Sequence, residues 1–486
     1  MATVVTPPSF LGTRLGKLTL VLLCAVAFLD CVDASIVNFA LPSMRRDLHM
    51  SVQTLQWVPS AYLLTYGGVM LLGGRMADLL GRRRILIVGT VLFGGSSLTA
   101  GLAEHSGVLI GARLAQGLGA AMMLPAALSI LTTTFEEDRE RRVALGAWGG
   151  VVGLGAAVGV LLGGLLTQGP GWRWVFFVNP PICLLVLGAT LWLITDDHRR
   201  AELANFDTLG AFLATAGVLL LIYGLVSAPT VGWGAVRALG GFAGSVTLMA
   251  GFVATERRQK NPLLPFSIFR VQGLAAADIT AIICAAGFVA VFFFFTLYMQ
   301  EILGYSPVQT GLAYLPVTAG IGIAAGVTSK LLGRIGTRSV IAMGALIASG
   351  GIWLLSRVPL RGSYVTDLLP GLLIMSIGLG AVFVATTFAG NAGVSSDKAG
   401  LAAALLTASQ QVGAAIGLAV LSAIATSRTT SLLAKHIALP SALDSGFHGA
   451  LFAASILVLA AACVALRTPN VRGEQNLLGP DRRTNH

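Results

Sequence analysis

The stretch GRMADLLGRRRIL, from Gly74 to Leu86, stands between two long apolar segments, and its pattern decides the fold. Gly74 and Gly81 permit tight backbone turns, and Asp78 can pair with a nearby arginine or with free amides at a helix N-terminus. The arginines that follow suit the water interface of a membrane. A loop that only carried positive charge would explain the arginines but not the spacing of Gly, Asp and Gly. The stretch therefore indicates a structured connection between two membrane helices.

A weaker copy of this stretch occurs later in the chain. The segment GVTSKLLGR (326–334) shares five of nine residues with GRMADLLGR (74–82). The two segments would follow the second and the tenth apolar span, which predicts two six-span halves with two spans inserted between them. Chance agreement over so few positions is the alternative.

The composition is that of a membrane protein. Of the 486 residues, 55% are hydrophobic and 11% are charged, and the mean hydropathy is +0.82, whereas soluble domains carry about 25% charged residues. Apolar segments of about 20 residues, long enough to cross a bilayer as helices, recur from end to end. We expect fourteen spans, at residues 17–40, 53–74, 84–103, 106–130, 142–166, 174–195, 208–227, 238–255, 273–299, 307–330, 338–356, 367–388, 399–425 and 448–466.

The basic residues predict the orientation of these spans. If the N-terminus is cytoplasmic, 23 Lys and Arg residues fall on the inner side and eight on the outer side, which is the asymmetry that membrane insertion favours. Both termini are therefore expected inside. The alternative is that one weak span, 238–255, is misplaced, which would reverse every later segment.

The predicted fold is an all-α membrane protein with two six-helix halves plus two inserted helices. The expected segments are a cytoplasmic N-terminal tail (1–16), an N-terminal half (17–195), a cytoplasmic linker (196–207), two inserted helices (208–255), a second cytoplasmic linker (256–272), a C-terminal half (273–466) and a cytoplasmic tail (467–486).

Several classes of function lack support in the sequence. The net charge of +11 comes from short basic clusters scattered between apolar spans, so a nucleic-acid surface is not indicated. No GxxxxGK[ST] motif occurs, so the chain encodes no ATP-binding loop. No HExxH, GxSxG or metal-ligand cluster is present either. We expect neither an enzyme nor a bound cofactor or metal.

Further motifs resemble one family of transporters. The stretch at 74–86 is similar to the GxLaDrxGrkxxl loop of the major facilitator superfamily, and LIGARLAQGLGAA (109–121) resembles its RxxqG motif, with Arg113 and Gln116 in register. DASIVNFALP (33–42) resembles the DxTivNvALP signature of the fourteen-helix drug:proton antiporters, with Ser35 in place of threonine. Similar matches extend along most of the chain: QWVPSAYLL (56–64), WRWVFFVNPP (172–181), YMQEILGYSPVQTGLAYLP (298–316) and SQQVGAAIG (409–417).

The resemblance implies a mechanism and a cytoplasmic gate. Two halves would rock about a central site, and the loop after the second span would latch the cytoplasmic side when the cavity opens outward. The residues implied for this latch are Gly74, Asp78, Gly81, Arg82 and Arg83.

The fifth span carries a glycine face. In GLGAAVGVLLGG (153–164), glycines recur four residues apart, so one side of a helix lacks side chains and can pack closely on a neighbour. The glycines concerned are Gly155, Gly159, Gly163 and Gly164. The proline of the antiporter motif gxxxGPxxGG is replaced by Val160, so the kink that it would impose is not guaranteed.

Apart from the first and last residues of the spans, four charged residues fall within the expected spans: Asp30, Asp33, Arg113 and Asp278. A charge in hydrocarbon costs at least about 2.5 kcal/mol, so each should line a cavity, find a partner or be neutral. An aspartate can exchange its proton while an arginine cannot. We expect Asp33 to be the main proton-coupling carboxylate and Arg113 to tune its charge. The alternative is a static ion pair that only joins two helices.

The other two acids have two interpretations each. Asp30 and Asp33 lie three residues apart on nearly one helix face, so they either share protons as a pair, or Asp30 stays protonated and bonds locally. Asp278 either lines a path for a cationic substrate or extends to the inner surface.

Other polar side chains in or near the spans are candidates for a substrate cavity. They are Asn38, Gln56, Trp57, Tyr62, Gln116 and Gln411, with Asp278. For Trp57 and Tyr62, anchoring at the membrane interface is an equal alternative.

These patterns predict a multi-pass protein of a bacterial cytoplasmic membrane that exports a hydrophobic or amphipathic compound, such as an antibiotic, in exchange for protons. The partners expected are that small molecule, protons and the lipid bilayer. A carrier of one metabolite is the nearest alternative, and a membrane sensor or scaffold that does not transport is a remote one.

Overall fold

The structure is a computed structural model, and it describes residues 10–135, 138–195, 208–259, 262, 268–269, 271, 273–392, 394, 399–468 and 470. Within these residues every regular element is helical. The expected linkers at 196–207 and 256–272 and the tails at 1–16 and 467–486 lie wholly or in part outside the described residues.

Sixteen α-helices follow one another along the described residues. They are α1 (Arg14–Asp47), α2 (Val52–Leu55), α3 (Trp57–Leu80), α4 (Arg82–Gly101), α5 (Ser106–Thr134), α6 (Asp138–Gln168), α7 (Trp174–Phe177), α8 (Asn179–Leu193), α9 (Thr208–Val231), α10 (Val236–Arg258), α11 (Leu274–Leu297), α12 (Pro307–Ile335), α13 (Thr337–Leu355), α14 (Leu369–Asn391), α15 (Ala399–Leu433) and α16 (Leu439–Ala465). Two π-helical turns, Tyr298–Ile302 and Tyr364–Leu368, continue α11 and precede α14.

Thirteen helices among the described residues are long and apolar enough to cross a membrane. The expected second span, 53–74, corresponds to α3, which is not one of the thirteen. At about 1.5 Å per residue its 24 residues are long enough. However, Ser60, Tyr62, Thr65 and Tyr66 lower its apolar character, and all four are buried inside the protein rather than facing lipid.

Two connections between helices consist of a single glycine. Gly81 joins α3 to α4 with φ +101°, and Gly336 joins α12 to α13 with φ +81°. Residues other than glycine disfavour such positive φ values. The repeat in the sequence matched Gly81 with Gly333, but Gly333 lies inside α12 and the chain turns three residues later.

We call the end of the molecule where α1 ends the outer end, and the opposite one the inner end. Helices α1, α3, α4, α5, α6 and α8 pack on one another, as do helices α11 to α16. The two groups meet where α6 packs on α12 and where α3 packs on α15. Helices α9 and α10 pack together, and α9 contacts both α3 and α15.

Contacts between the two groups close the outer end. Arg45, near the end of α1, forms an ion pair with Glu301 of the π-helical turn after α11. Next to it, the Gln300 side-chain amide donates a hydrogen bond to the Phe39 carbonyl oxygen (3.1 Å). Gly164 of α6 packs so closely on the start of α12 that an added Cβ would lie 2.8 Å from the Pro307 oxygen. The two groups are therefore held together at this end.

Candidate functional site

The buried centre of the first helix group is built around Asp33 of α1. Its Oδ2 lies 2.7 Å from Nη1 of Arg113, which comes from α5. Both side chains are almost fully enclosed, with exposed fractions of 0% and 2%. The structure thus brings together the two residues that the sequence singled out, as a buried ion pair in the middle of the membrane helices.

The second carboxylate oxygen of Asp33 has two neutral donors. Oδ1 accepts hydrogen bonds from the side-chain amides of Gln116 and Asn179, each at 2.7 Å. The Gln116 amide also donates to Ser97 Oγ (2.8 Å), which fixes its orientation. Three donors from α5 and α8 therefore hold the two carboxylate oxygens of Asp33.

Arg113 is itself held from three directions. Nη1 donates to Gln116 Oε1 (2.6 Å) and Nε donates to the Val58 carbonyl oxygen (3.1 Å). The guanidinium lies 4.2 Å from the centre of the Tyr62 ring. A planar group with several fixed donors makes these contacts, and a lysine could not reproduce them.

Asp30 lies one turn before Asp33 and has a different environment. Its Oδ1 accepts a hydrogen bond from the Tyr62 hydroxyl (2.6 Å), and its Oδ2 is 3.3 Å from the Tyr66 hydroxyl. The side chain is 6% exposed, and no ion pair to it is formed within the described residues. The cluster therefore contains two carboxyl groups and one guanidinium, and the guanidinium is bound to Asp33.

Sequence reasoning missed two members of this cluster. Asn179 was contained in the quoted WRWVFFVNPP stretch, and Tyr66 follows Tyr62 by four residues, which places both rings on one face of α3. The Tyr62 and Tyr66 ring centres are 5.6 Å apart. The four-residue spacing was the available signal for Tyr66, whereas Asn179 reaches Asp33 only through tertiary packing.

The residues predicted to line a substrate cavity do not form one set. Tyr62 and Gln116 belong to the buried cluster around the two aspartates. Gln56, at the outer start of α3, is 1% exposed, and its side-chain amide has no hydrogen bond within the described residues. Asn38, Trp57 and Gln411 are half-buried on three different helices. Asp278 is enclosed near the inner end of α11, 4% exposed, rather than extended to the inner surface.

The glycine face of α6 packs on α1. An added Cβ at Gly155 would lie 3.0 Å from Cys31 Cβ, at Gly159 2.7 Å from Ser35 Cβ, and at Gly163 2.8 Å from the Ile36 oxygen. These contacts run along the α1 segment that carries Asp33. Val160, which replaces the motif proline, lies within an unbroken α6 and faces Gly311 of α12 with its carbonyl group. This helix thus supports the aspartates on one side and contacts the other helix group on its outer half.

Among the described residues, the connection after α3 has its contacts with helices of its own group. Gly74 leaves room for a Cβ, since its nearest neighbour would be Pro125 at 3.7 Å. Asp78 and Arg82 form an i,i+4 ion pair of 3.7 Å. Arg82 also donates to Thr133 of α5 (2.9 Å), and Arg83 donates to the Leu191 carbonyl oxygen of α8 (2.9 Å). The turn at Gly81 therefore joins the inner ends of four neighbouring helices, α3, α4, α5 and α8.

The family model of the Major Facilitator Superfamily matches residues 23–418, which include the Asp33 cluster and the turn at Gly81. The chain belongs to the major facilitator superfamily. Because its helices are long and apolar and its relatives are bacterial, this facilitator is a multi-pass protein of a bacterial cell membrane.

Three relatives of this facilitator are named for antibiotics. It is 39% identical to the puromycin resistance protein pur8 of Streptomyces alboniger, over 91% of this chain and 89% of that one. It is 34% identical to the tetracenomycin C resistance and export protein of Streptomyces glaucescens, over 84% and 76% of the two chains. The cephamycin export protein CmcT of Amycolatopsis lactamdurans is 36% identical over 94% and 93%.

Solved facilitator structures share the fold. A bacterial homologue of the human lysosomal transporter Spinster, in an inward-facing and occupied conformation, matches with a TM-score of 0.66 at 18% identity, over 96% of this chain and 99% of that one. The POT family transporter PepTSo matches with a TM-score of 0.67 at 14% identity, over 92% and 98%. At these identities the likeness concerns the fold alone. Within the described residues, no group of three or more His, Cys, Asp or Glu is placed to hold a metal ion.

Proposed function

We propose that this facilitator exports hydrophobic or amphipathic compounds, antibiotics among them, in exchange for protons. The names of the relatives support the substrate class, since puromycin, tetracenomycin C and cephamycin are compounds that those proteins resist or export. The observation that carries the proton coupling is the enclosed cluster of two carboxyl groups, Asp30 and Asp33, with one guanidinium, that of Arg113, which pairs with Asp33.

The cluster supports a division of roles between the two acids. Asp33 receives the guanidinium and two amide donors, so both of its oxygens have polar partners in this conformation. Asp30 has only tyrosine hydroxyls near it, and two enclosed negative charges three residues apart repel each other. The proton of the pair therefore rests on Asp30, while Asp33 and Arg113 form the coupling element. A rearrangement that separates Arg113 from Asp33 lets the pair bind or release a proton.

The proposed cycle is alternating access between the two helix groups. Residues 17–195 and 273–466 form two six-helix halves, residues 208–255 supply two inserted helices, and α3 completes fourteen spans with both termini cytoplasmic. The outer end is held closed by Arg45 and Glu301, so in the proposed cycle this conformation exchanges with the cytoplasmic side. In the opposite conformation the Gly74–Arg84 connection closes the inner end against the second half. Substrate leaves and protons enter on the outer side, without ATP.

Proton flux in proteoliposomes that contain the purified protein tests this function. Adding a transported antibiotic, with puromycin as the first probe, should release protons in the wild type and in Asp47→Asn, since Asp47 lies at the outer end with Arg173. The same addition should release none in Asp33→Asn. Coupled flux that persists in Asp33→Asn contradicts the assignment of Asp33. Absence of flux for every compound tested in the wild type contradicts export and favours a sensor or scaffold.

A dedicated exporter of one compound is the second candidate, and the relatives supply the observation that favours it. Three are named for single antibiotics, whereas Stp of Mycobacterium tuberculosis is named a multidrug resistance protein. Susceptibility profiling in a host that lacks its own pumps separates the two. Resistance to many unrelated compounds indicates multidrug export, and resistance to one indicates a dedicated exporter.

A further inference from the structure

We propose that Asp278 is a second proton-binding site, located in the second helix group and separate from the Asp30–Asp33 cluster. The proposal rests on the proposed function only where it assigns Asp278 a role in proton coupling. That Asp278 holds a proton at all follows from its surroundings, which can be examined without transport.

Asp278 is enclosed without a polar partner. It is the fifth residue of α11 and 4% exposed, and neither of its carboxyl oxygens has a hydrogen bond within the described residues. This differs from Asp33, whose oxygens have three donors, and from Asp30, which has two hydroxyls nearby. Asp278 is thus an enclosed carboxyl group that nothing in the described part of the protein compensates.

The packing around Asp278 is apolar on both sides. The preceding Ala277 belongs to a cluster with Leu332, Ile341 and Ala385 from α12, α13 and α14. Leu274, one turn earlier, packs with Ala402 and Leu405 of α15. One turn later the two backbones touch, since an added Cβ at Gly413 of α15 would lie 2.4 Å from the Ile282 oxygen. The carboxyl group therefore lies at a tight contact between α11 and its neighbours.

The described helices that pack on α11 offer no counter-charge at this depth. Helix α14 has no ionisable side chain. The only ionisable side chain of α15 is that of Arg428, at the outer end, where it donates a hydrogen bond to Ser445. In α16, Asp444 and His448 are also at the outer end and pair with each other. Cys463 is exposed. Helix α1 packs on α11 as well. Its Asp30 and Asp33 are bound in the cluster with Arg113 and the tyrosines, Arg45, Arg46 and Asp47 are at its outer end, and Arg14 and Lys17 are at its inner start without an ion pair to Asp278 within the described residues.

The remaining neighbouring charges are on α3 and at the inner ends of α12 and α13. Leu71 of α3 packs on the cluster that contains Leu274, and Arg75 and Asp78 follow toward the inner end. Lys330 and Arg334 end α12, and Arg338 starts α13 and donates to the Thr468 carbonyl oxygen. None of them forms an ion pair with Asp278 within the described residues.

A carboxylate in such a place cannot remain charged. Without a donor or a counter-ion, burial favours the neutral acid, so Asp278 holds a proton in the conformation that is closed at the outer end. Asp278 lies about 6 Å along the helix from the inner start of α11. In the coupled cycle this proton enters from the outer side while the outer end is open. After that end closes, loosening the contact between α11 and α15 admits water from the inner side, and the proton leaves toward that side. Each transporter therefore carries one proton on Asp278 in addition to the one held by the aspartate pair.

Infrared spectroscopy of the purified protein tests the protonation itself. A carboxylic acid without hydrogen bonds gives a C=O stretching band at higher frequency than hydrogen-bonded acids. That band should be present in the wild type, Asp30→Asn and Asp33→Asn, and lost in Asp278→Asn. Asparagine has the size of the neutral acid, so Asp278→Asn should also melt at the wild-type temperature. Unchanged spectra, or a large loss of thermal stability that indicates a broken ion pair, would overturn the proposal.

Proton counting in proteoliposomes tests the coupling. Asp278→Asn should still exchange substrate for protons but move one proton fewer per substrate molecule than the wild type, whereas Asp33→Asn should lose exchange. A wild-type stoichiometry in Asp278→Asn overturns the role in transport. If the wild type itself shows no coupled flux, the proposed function fails, and the infrared band still decides whether Asp278 is protonated. Displacement of that band by tetraphenylphosphonium would assign the site to a cationic substrate and overturn proton binding.

Discussion

Two aspartates one helical turn apart differ because their partners differ. Asp33 meets a guanidinium and two amides, and Asp30 meets two phenols. The sequence predicted the ion pair, because both residues lie in spans where a charge needs a partner. It did not predict that Tyr62 and Gln116 join the same cluster rather than a cavity. Both are polar residues on largely apolar helices, whose periodicity does not say which face is enclosed.

Arg113 is the residue for which charge and shape can be separated. Arg113→Lys keeps the positive charge but loses the planar contacts with Gln116, Val58 and the Tyr62 ring. We expect it to fold and to transport at least about tenfold more slowly, which corresponds to a loss of about 1.4 kcal/mol. Initial rates of uptake into inverted vesicles measure this.

Arg113→Ala is the contrasting variant. Removing one partner of a buried pair leaves Asp33 uncompensated and costs about 3–5 kcal/mol of stability. A thermal melting curve in detergent should show a clear drop for Arg113→Ala and a small one for Arg113→Lys. Equal drops would mean that the cluster needs only the charge and not the guanidinium geometry.

Glycines determine how closely neighbouring helices pack in this protein. The four-residue spacing in α6 predicted a face without side chains, and α1 is the helix that lies against that face. The sequence could not name α1 as the partner, because any apolar helix satisfies the pattern. The repeat between 74–82 and 326–334 identified two equivalent connections but not the turning residue of the second, since Gly333 is followed by Gly336 and only the latter has a positive φ.

The α1–α6 contact should depend on Gly159. In Gly159→Ala the new methyl group would lie 2.7 Å from Ser35 Cβ and 2.9 Å from the Val32 oxygen, so α1 and α6 must separate, at about 1–3 kcal/mol. Gly150→Ala is the matched control on the same helix, because nothing lies within 4 Å of its added Cβ. It should be neutral or slightly stabilising, since alanine favours helix. Thermal melting of both variants decides, and equal stability would contradict the close contact.

A second pair of glycine variants tests the turn between α12 and α13. Gly336→Ala forces a methyl group onto a backbone with φ +81°, where it also meets the Asn470 side chain, and should destabilise by about 1–2 kcal/mol. Gly333→Ala places a methyl group in open space on a helix and should not destabilise. Expression level and melting temperature compare the two. A larger effect at Gly333 would show that the sequence repeat, and not the backbone, marks the turn.

At the scale of the whole molecule, the two helix groups are joined at the outer end by a small number of polar contacts. Arg45 and Glu301 are partly exposed, with exposed fractions of 24% and 17%, so their ion pair is worth about 1 kcal/mol at most. That is enough to shift a balance between two conformations several-fold but not to lock one of them. The sequence did not predict this ion pair, because Arg45 and Glu301 are 256 residues apart in the chain.

Glu301→Gln should therefore populate the conformation that is open at the outer end. We expect about a fivefold shift, measured by spin-label distances between the outer ends of α1 and α12. High salt should reproduce part of this shift in the wild type, because it screens the ion pair. Asp47→Asn is the control, since Asp47 pairs with Arg173 inside the first helix group. It should leave the distance distribution unchanged. A shift of equal size in both variants would mean that outer charge in general, rather than this pair, sets the balance.

Helix α9 determines the side from which a lipid-dissolved compound can approach. Its Ile222 packs in one cluster with Leu64 of α3 and with Ala415 and Ala419 of α15, so α9 covers the seam between the two groups on that side. On the opposite side, α6 and α12 touch near their outer ends, and Gly146, Gly149, Gly322 and Gly326 further inward have open space around them. A molecule dissolved in the bilayer is thus blocked at the seam that α9 covers, whereas among the described residues no further helix covers the seam between α6 and α12. Helices α9 and α10 therefore make the two flanks of the protein unequal as routes of entry from the bilayer.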